Sequence, residues 1–307
     1  MAASELNVVT GALGFTGRYI AGALIERGAR VRTLTAHPAL PNPFGERIEV
    51  APLDFASGDE LAKNLDGAAT LFNTYWIRFP HNGATFETAV TNTRTLVGAA
   101  KKAGVRKIVH ISITGAASNS RLPYFLGKAM AERAVAESGL PFLIIRPTLV
   151  FGAGDILINN IAWLLRRFPI FLLPGRGDYS VQPVSVGDVA SLALAGAPER
   201  RNRVVDAAGP EIFTFRNLIR TVARTIGRRA LIVPAPPEMA LRLSQLIGWA
   251  VKDVVLTRDE IHGLMAGLLV SRRPPTCPAA LSIWLGENAH RVGRVYASEL
   301  ARRLLSS

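Results

Sequence analysis

The sequence predicts an α/β fold, a doubly wound parallel sheet with a smaller and mostly helical C-terminal lobe. Short β-branched runs alternate with amphipathic stretches over the first 150 of the 307 residues, which is typical of parallel strands joined by crossover helices. Gly28, Gly104 and Gly139 each end a helical stretch a few residues before the next strand-like run. After Pro147 this rhythm loosens, which indicates a second and differently built part of the chain.

Six strands and four connecting helices are predicted in the first part. The strands are expected at Leu6–Thr10, Arg30–Thr35, Arg47–Ala51, Thr70–Asn73, Lys107–Ser112 and Phe142–Arg146. The helices between them are expected at Phe15–Glu26, Asp59–Leu65, Thr85–Ala103 and Tyr124–Ser138. Each strand-like run is short and rich in Val, Ile, Leu or Thr, as expected of strands buried on both faces.

The second part of the chain is predicted to be mostly helical. Helical periodicity is found at Ile156–Phe168, Gly187–Ala197, Thr214–Ile226, Met239–Val251, Thr257–Leu268 and Leu281–Leu305. Residues 169–186 are rich in Pro and Gly and partly extended, and Arg203–Asp206 is strand-like. We expect residues 1–150, with 181–208 returning to them, to form the core. Residues 151–180 and 209–307 would form the smaller lobe, which shapes the substrate or partner site.

Composition excludes several classes of protein. The 49% apolar and 19% charged residues exclude a disordered chain. The single cysteine, Cys277, excludes a disulfide framework, and the five histidines show no metal-ligand spacing, so we expect no metal site. With no run of 18 uncharged apolar residues and no basic stretch before an apolar one at the N-terminus, we expect a cytoplasmic protein. Peripheral attachment to a membrane stays open.

The net charge of +13 raises the question of a polyanionic partner. The arginines fall in scattered pairs, such as Arg166-Arg167 and Arg228-Arg229, and form no stripe interleaved with aromatic residues. We therefore do not expect nucleic acid to be the main partner. An anionic ligand, an acidic membrane surface or docking to a complex remains open, and the sequence predicts no oligomeric state.

A glycine-rich turn lies between the first predicted strand and the first helix, in the sequence TGALGFTG. Glycines at this junction permit a tight turn and a close approach of the backbone to a pyrophosphate, which the helix N-terminus attracts. The sequence therefore predicts a dinucleotide-binding Rossmann core. The candidate pyrophosphate-binding residues are Thr10, Gly11, Leu13, Gly14, Phe15, Thr16 and Gly17.

The second strand indicates which dinucleotide is preferred. NAD-binding proteins usually carry a carboxylate about 20 residues past the glycines to hold the ribose 2′-hydroxyl, and residues 31–37 contain none. Arg18, Arg32 and His37 are cations in this region that a 2′-phosphate would find. We expect NADP(H) as the preferred cofactor, with NAD(H) as the open alternative. Arg18 could equally be an ordinary exposed helix residue.

Tyr124 and Lys128 are the candidate catalytic pair. Four residues apart on a predicted helix, their side chains share one face, and an ammonium beside a phenol favours the phenolate. Such a tyrosine can give a proton to a carbonyl oxygen or take one from an alcohol. Ser112 and Thr114, at the end of the fifth strand, are the candidate hydroxyl groups for polarising that carbonyl.

These motifs together resemble the extended and atypical branches of the short-chain dehydrogenase/reductase superfamily, over about residues 5 to 210. Within it, the sequence is similar to epimerase/dehydratase-like and NmrA-like members and to the NADPH-binding accessory subunit of respiratory complex I. The resemblance implies that Asp54 contacts the adenine, although a helix-capping role is the alternative. It further implies that Thr114 rather than Ser112 is the third catalytic residue. It also implies cofactor contacts for Asn73, Thr74, Lys128, Pro147, Thr148 and Val150.

Two functions stay open at this point. The first is an NADP(H)-dependent oxidoreductase or epimerase-type enzyme, with Tyr124 as acid/base and Lys128 as its activator. The second is a non-catalytic NADPH-binding protein, either a redox sensor or a structural or assembly subunit of a membrane complex. The ten-residue spacing from Thr114 to Tyr124 is shorter than in members that act on nucleotide sugars, and it is typical of the atypical branch. The small-molecule substrate is not predicted.

Overall fold

The computed structural model describes residues 5–38, 40–298 and 300. These residues form two compact units. The core unit contains the described residues up to Pro147 together with Val189–Asp206. The C-terminal unit contains Thr148–Asp188 and the described residues from Ala207 onward.

Thirteen strands are found among the described residues. They are β1 (Leu6–Thr10), β2 (Arg30–Thr35), β3 (Glu49–Pro52), β4 (Ala68–Asn73), β5 (Lys107–Ile111), β6 (Phe142–Pro147), β7 (Leu149–Phe151), β8 (Ile170–Pro174), β9 (Ser180–Val181), β10 (Pro183–Ser185), β11 (Arg203–Ala207), β12 (Phe213–Thr214) and β13 (Leu231–Ala235). The main sheet has the order β11-β6-β5-β4-β1-β2-β3. The six strands β1 to β6 are parallel to their neighbours among them. The strand order reverses between β1 and β4, and open α/β sheets bind ligands at the carboxyl ends of strands at such a point.

Ten α-helices accompany these strands in the described part of the chain. They are α1 (Phe15–Glu26), α2 (Gly58–Asn64), α3 (Phe86–Lys102), α4 (Pro123–Ala136), α5 (Leu157–Arg167), α6 (Val186–Gly196), α7 (Phe215–Thr225), α8 (Pro237–Val251), α9 (Arg258–Met265) and α10 (Leu281–Asn288). Ser57 and Thr85 cap α2 and α3 by accepting hydrogen bonds from backbone N–H groups of the first turn. No described helix combines the length and the apolarity needed to cross a bilayer. The predicted doubly wound fold is confirmed.

The C-terminal unit has its own apolar core and three two-stranded pairings. β7 pairs with β10 and β8 with β13 in parallel, while β9 and β12 are antiparallel. Helices α5 and α7 bury Ile158, Ile161 and Leu165 against Leu218 and Val222. The strand β13 was not predicted, because its five residues carry no alternation and are followed directly by Pro236 and Pro237.

The predicted last helix, Leu281–Leu305, is too long. Its helical part ends at Asn288, residues 289–298 form turns and irregular backbone, and residue 299 and residues 301–305 lie outside the described residues. Gly293 has φ +72°, and a Cβ there would lie 2.4 Å from the carbonyl carbon of Ala162 on α5. Asn159 and Asn160 of α5 hold this segment by accepting hydrogen bonds from the backbone N–H groups of Gly293 and Ala297, both at 2.9 Å. Packing against α5 therefore replaces the predicted helix.

The third strand also starts later than predicted. It begins at Glu49 rather than Arg47 because residues Gly45–Arg47 form a single 3₁₀ turn. Gly45 has φ +56°, a left-handed conformation that glycine adopts without steric cost.

Candidate functional site

The glycine turn after β1 is built so that side chains would not fit. Gly11 has φ +67°, and its N–H donates to the Leu34 carbonyl at 2.8 Å. A Cβ on Gly17 would lie 2.3 Å from the Gly11 carbonyl oxygen, and one on Gly14 would lie 3.2 Å from the same atom. Gly14 is the N-cap of α1 and provides no side-chain cap. A bare backbone cradle at a helix N-terminus fits the pyrophosphate of a dinucleotide.

Thr10 ties this turn to the end of β4. Its Oγ1 accepts hydrogen bonds from the N–H groups of Thr74 (2.8 Å) and Tyr75 (3.1 Å) and donates to Asn73 Oδ1 (3.2 Å). The Thr74 hydroxyl donates back to the Thr10 carbonyl at 2.5 Å. The structure therefore brings the predicted residues of β1 and β4 together at the point where the strand order reverses.

Asn73 extends this network to β5 through His110. Because the Tyr75 N–H donates to Asn73 Oδ1 (3.0 Å), the Asn73 amide nitrogen is the group that faces His110 Nδ1, at 3.1 Å. That nitrogen donates, so His110 Nδ1 accepts and the imidazole proton lies on Nε2. Burial, and secondarily the nearby charge of Lys128, lower the pKa of His110 to about 3. Sequence reasoning considered this histidine only as a metal ligand and missed its place in the network.

The three residues predicted to meet a 2′-phosphate, Arg18 on α1 and Arg32 and His37 at β2, have different environments. Arg32 Nε forms an ion pair with Glu49 at 3.0 Å, and its terminal nitrogen donates to the Asn64 carbonyl at 2.8 Å. Its charge is therefore engaged with β3 and α2, and its contact with a 2′-phosphate stays a prediction. Arg18 is exposed and donates to the Leu13 carbonyl at 3.1 Å, which keeps its charge beside the glycine turn. His37 is half-buried at the end of β2.

Asp54 lies in the loop between β3 and α2. It is exposed, and its Oδ1 accepts a hydrogen bond from the Ala56 N–H at 2.9 Å. The N-cap of α2 is Ser57, which accepts from the Glu60 N–H at 3.2 Å. The alternative hypothesis that Asp54 caps the helix is therefore wrong. The predicted contact between Asp54 and the adenine stays a prediction.

Lys128 is buried on α4, one turn after Tyr124. Its ammonium donates to the Ile111 carbonyl at the end of β5 (3.1 Å) and lies 4.8 Å from the centre of the Trp76 ring. Burial lowers the pKa of Lys128 to about 7, while the carboxylate of Glu132 acts in the opposite direction. Glu132 itself forms a two-point ion pair with Arg146 of β6, at 2.8 and 2.5 Å.

The Tyr124 ring belongs to an aromatic cluster. It meets Trp76 edge-on at 6.2 Å between ring centres and Phe86 at 5.7 Å, and Trp76 stacks on Phe86. Gly127 of α4 permits this packing, because a Cβ there would lie 3.0 Å from the Trp76 indole. Sequence reasoning missed Trp76, although it directly follows the Asn73–Tyr75 segment and could have been suspected from that position.

Ser112 and Thr114 follow β5, and both are buried. The Thr114 hydroxyl lies 3.3 Å from the Pro147 carbonyl, to which it donates, and its N–H donates to the same oxygen at 2.9 Å. Ser112 Oγ is buried with no hydrogen-bond partner among the described residues. The Thr114 hydroxyl is thus engaged by the backbone and that of Ser112 is not, while the role of either in polarising a carbonyl stays a prediction.

The remaining predicted residues divide between the two units. Pro147 ends β6 in the core unit, whereas Thr148 and Val150 belong to the C-terminal unit, where Thr148 bonds to Ala207. Cys277 is buried, and burial raises the pKa of its thiol. Within the described part of the chain, no group of three or more His, Cys, Asp or Glu side chains is arranged to hold a metal ion.

Comparisons with known proteins agree with this geometry. The NAD(P)H-binding family matches residues 11–152. The mitochondrial NADH dehydrogenase [ubiquinone] 1 alpha subcomplex subunit 9 of Arabidopsis thaliana is 25% identical over 283 residues, covering 86% of this chain and 70% of that protein. The (4-alkanoyl-5-oxo-2,5-dihydrofuran-3-yl)methyl phosphate reductase of Streptomyces griseus is 26% identical, covering 72% of this chain and 74% of that protein.

Among solved structures, the NADPH-dependent quinone oxidoreductase QOR2 of Escherichia coli has a TM-score of 0.74 at 19% identity. The match covers 92% of this chain and 98% of that one, and it supports the fold. The glycine turn, the strand order and the sequence matches agree with one another. The chain carries an NAD(P)H-binding domain at residues 11–152, and its fold is similar to that of extended short-chain dehydrogenases and epimerases.

Proposed function

We propose that this protein is an NADP(H)-dependent oxidoreductase that acts on a carbonyl or alcohol substrate, or an epimerase-type relative of such enzymes. The observation that carries the proposal is the arrangement of Tyr124 and Lys128 one helical turn apart on α4, with the ammonium fixed to the end of β5. A bound nicotinamide cofactor would supply or accept the hydride. The residues of the chain would bind it, orient the substrate and move the proton.

Each candidate residue has a distinct role in this proposal. Tyr124 gives its phenolic proton to the carbonyl oxygen in reduction and takes it back in oxidation. Protonated Lys128 favours the phenolate by its charge. Ser112 donates a hydrogen bond to the same oxygen, because its hydroxyl is the one that the backbone leaves unengaged. Thr114 then holds the end of β5 against Pro147.

The preference for NADP(H) rests on the second strand. No carboxylate stands at residues 31–37 to hold a ribose 2′-hydroxyl or to repel a 2′-phosphate. With Arg32 engaged by Glu49, Arg18 beside the glycine turn is the cation that we expect to contact that phosphate, and His37 stays a predicted contact. An Arg18→Gln variant should weaken NADPH binding about tenfold while changing NADH binding little, as measured by fluorescence titration of each cofactor.

A second candidate function is favoured by the burial of Lys128. Its ammonium lies under the Trp76 indole and already donates to Ile111, so a non-catalytic protein that binds NADPH would keep the same arrangement. The similarity to alpha subcomplex subunit 9 of NADH dehydrogenase supports this reading as well. Such a protein would serve as a redox sensor or as a subunit of a larger assembly.

Turnover by a Tyr124→Phe variant separates the two functions. NADPH oxidation is measured with a panel of quinones, aldehydes and ketones, and the NADPH dissociation constant is measured in parallel. The enzyme reading predicts a loss of roughly 100-fold or more in turnover at unchanged NADPH affinity. Ser112→Ala should lower turnover more than Thr114→Ala. Tight NADPH binding by the wild type without turnover of any panel member would favour the non-catalytic protein.

A further inference from the structure

Helix α8 has an unusual distribution of side chains. The residues that it buries, at intervals of four, are the small ones Ala240, Ser244 and Gly248. A Cβ on Gly248 would lie 2.5 Å from the Asp253 carbonyl oxygen, so this face is in close contact with the chain that follows. Four large apolar side chains point the other way, whereas Leu241, Ile247 and Val251 are half-buried. Met239, Leu243, Leu246 and Trp249 are 49%, 36%, 63% and 82% exposed.

These four side chains form one continuous strip, which we call the α8 strip. Their spacings of four, three and three residues place them on one face of the helix, over about 15 Å of its length. Surface helices normally turn their large apolar side chains inward, and a contiguous exposed apolar patch marks a site of interaction. Helix α8 packs through its small buried residues and its half-buried side chains, and the four exposed apolar side chains are left for something outside the unit.

Charges around the α8 strip are positive. Arg242 lies on the same exposed face, and Lys252 directly follows the last turn. Glu238 is the single acidic residue of α8, and Arg258 neutralises it in an ion pair at 3.0 Å. The sequence of the C-terminal unit contains seventeen Lys or Arg residues and ten Asp or Glu residues. The charge complements an anionic surface.

We propose that the α8 strip binds the interfacial region of a membrane that contains anionic lipids, with α8 lying in the membrane plane. An exposed apolar face with a tryptophan and flanking cations is the pattern of helices that bind in this way. A second copy of the chain fits less well. A strip about 15 Å long and one helix wide is small beside the roughly 800 Å² that each partner buries in a stable protein interface.

Flotation of the full chain with vesicles tests this proposal. Vesicles of phosphatidylcholine with roughly one-third phosphatidylglycerol are compared with phosphatidylcholine alone, at low and at physiological salt. The wild type should float with the anionic vesicles, and binding should fall with salt. The double variant Leu246→Ser/Trp249→Ser should bind at least about tenfold more weakly. Arg242→Gln/Lys252→Gln should lower binding to the anionic vesicles only.

The matched control is Ile283→Ser on α10, since Ile283 is 65% exposed and lies outside the strip. It should bind vesicles like the wild type. Thermal midpoint and NADPH affinity, measured for every variant, report whether each remains folded. Three outcomes would overturn the proposal: no flotation of the wild type at low salt, flotation of the double variant at the wild-type level, or a wild-type dimer in light scattering that the double variant converts to monomer.

Discussion

At the scale of single residues, the glycine turn is held by contacts that a methyl group would destroy. The Gly17 Cα faces the Gly11 carbonyl oxygen so closely that a Cβ would lie 2.3 Å from it. Both groups are backbone, so neither can move without opening the turn. The same turn is joined to β4 by the Thr10 hydroxyl. Cofactor binding and local stability therefore depend on one small region.

Gly17→Ala should lower the free energy of unfolding by about 1–3 kcal/mol and weaken NADPH binding severely, because the turn must open to admit the methyl group. Gly98→Ala is the matched control, because Gly98 lies inside α3 and a Cβ there meets nothing within 4 Å. It should be neutral or stabilising by up to about 1 kcal/mol. Urea unfolding and NADPH titration measure both. Equal effects of the two variants would contradict this account of the turn.

At the scale of elements, α4 arranges three functional groups on one face. Tyr124, Lys128 and Glu132 follow each other at intervals of four residues, and Glu132 reaches Arg146 on β6. The last pair fixes α4 to the sheet close to the buried ammonium. Because Glu132 also opposes the burial effect on the pKa of Lys128, the ion pair connects the stability of the helix with the charge at the site.

Arg146→Met should lower the free energy of unfolding by about 2–3 kcal/mol, because it leaves Glu132 buried without its partner. The loss should be smaller than that for a fully buried pair, since the Arg146 side chain is 32% exposed. Arg133→Met is the control, because Arg133 pairs with Glu137 on the exposed face of the same helix. It should cost less than about 1 kcal/mol by denaturant unfolding. If Arg133→Met loses as much free energy of unfolding as Arg146→Met, burial of the ion pair does not determine the size of the loss.

At the scale of the whole molecule, two buried bases make stability depend on pH in two separate windows. His110 has its pKa lowered to about 3 from an ordinary value of 6.5, and Lys128 has its pKa lowered to about 7 from 10.5. In each window the unfolded chain binds a proton that the folded chain does not, so stability rises with pH there.

The free energy of unfolding should therefore fall as the pH falls from 6.5 toward 3, and part of that slope belongs to His110. His110→Gln cannot titrate and should show a shallower slope in this window, whatever its stability at pH 7. Lys128→Met should likewise remove part of the rise in stability between pH 7 and 10.5. Denaturant unfolding across pH measures both. Slopes equal to that of the wild type would show that these groups do not couple to folding.

Lys128 also predicts how turnover depends on pH in the proposed enzyme. Protonated Lys128 supports the phenolate of Tyr124, and the ammonium loses its proton as the pH rises through about 7. Turnover should then decline above neutral pH, and Lys128→Arg, which stays charged, should shift that decline to higher pH. If the pH dependence of turnover is the same in this variant as in the wild type, Lys128 does not control the ionisation of Tyr124.

Much of the core unit was predictable because its signals are local. The elements β1, α1 and β2 follow from strand length, β-branched composition and terminal glycines, without reference to the rest of the chain. The glycine turn between β1 and α1 shows where a dinucleotide would bind. The positions of Tyr124 and Lys128 on one helix face follow from helical spacing alone. None of these inferences needs a contact between distant segments.

The remaining features of the site and of the C-terminal unit depend on contacts between distant segments. Arg32 is engaged by Glu49, the hydroxyl of Thr114 is held by Pro147, and the segment after Asn288 leaves the helix because α5 binds its backbone. The inward face of α8 carries its small residues for the same reason, since Asp253 packs against Gly248. Sequence patterns indicate the local conformation that a segment prefers and which of its faces avoids water. The choice among several hydroxyls, cations or faces is made by the neighbours that folding brings within a few ångströms.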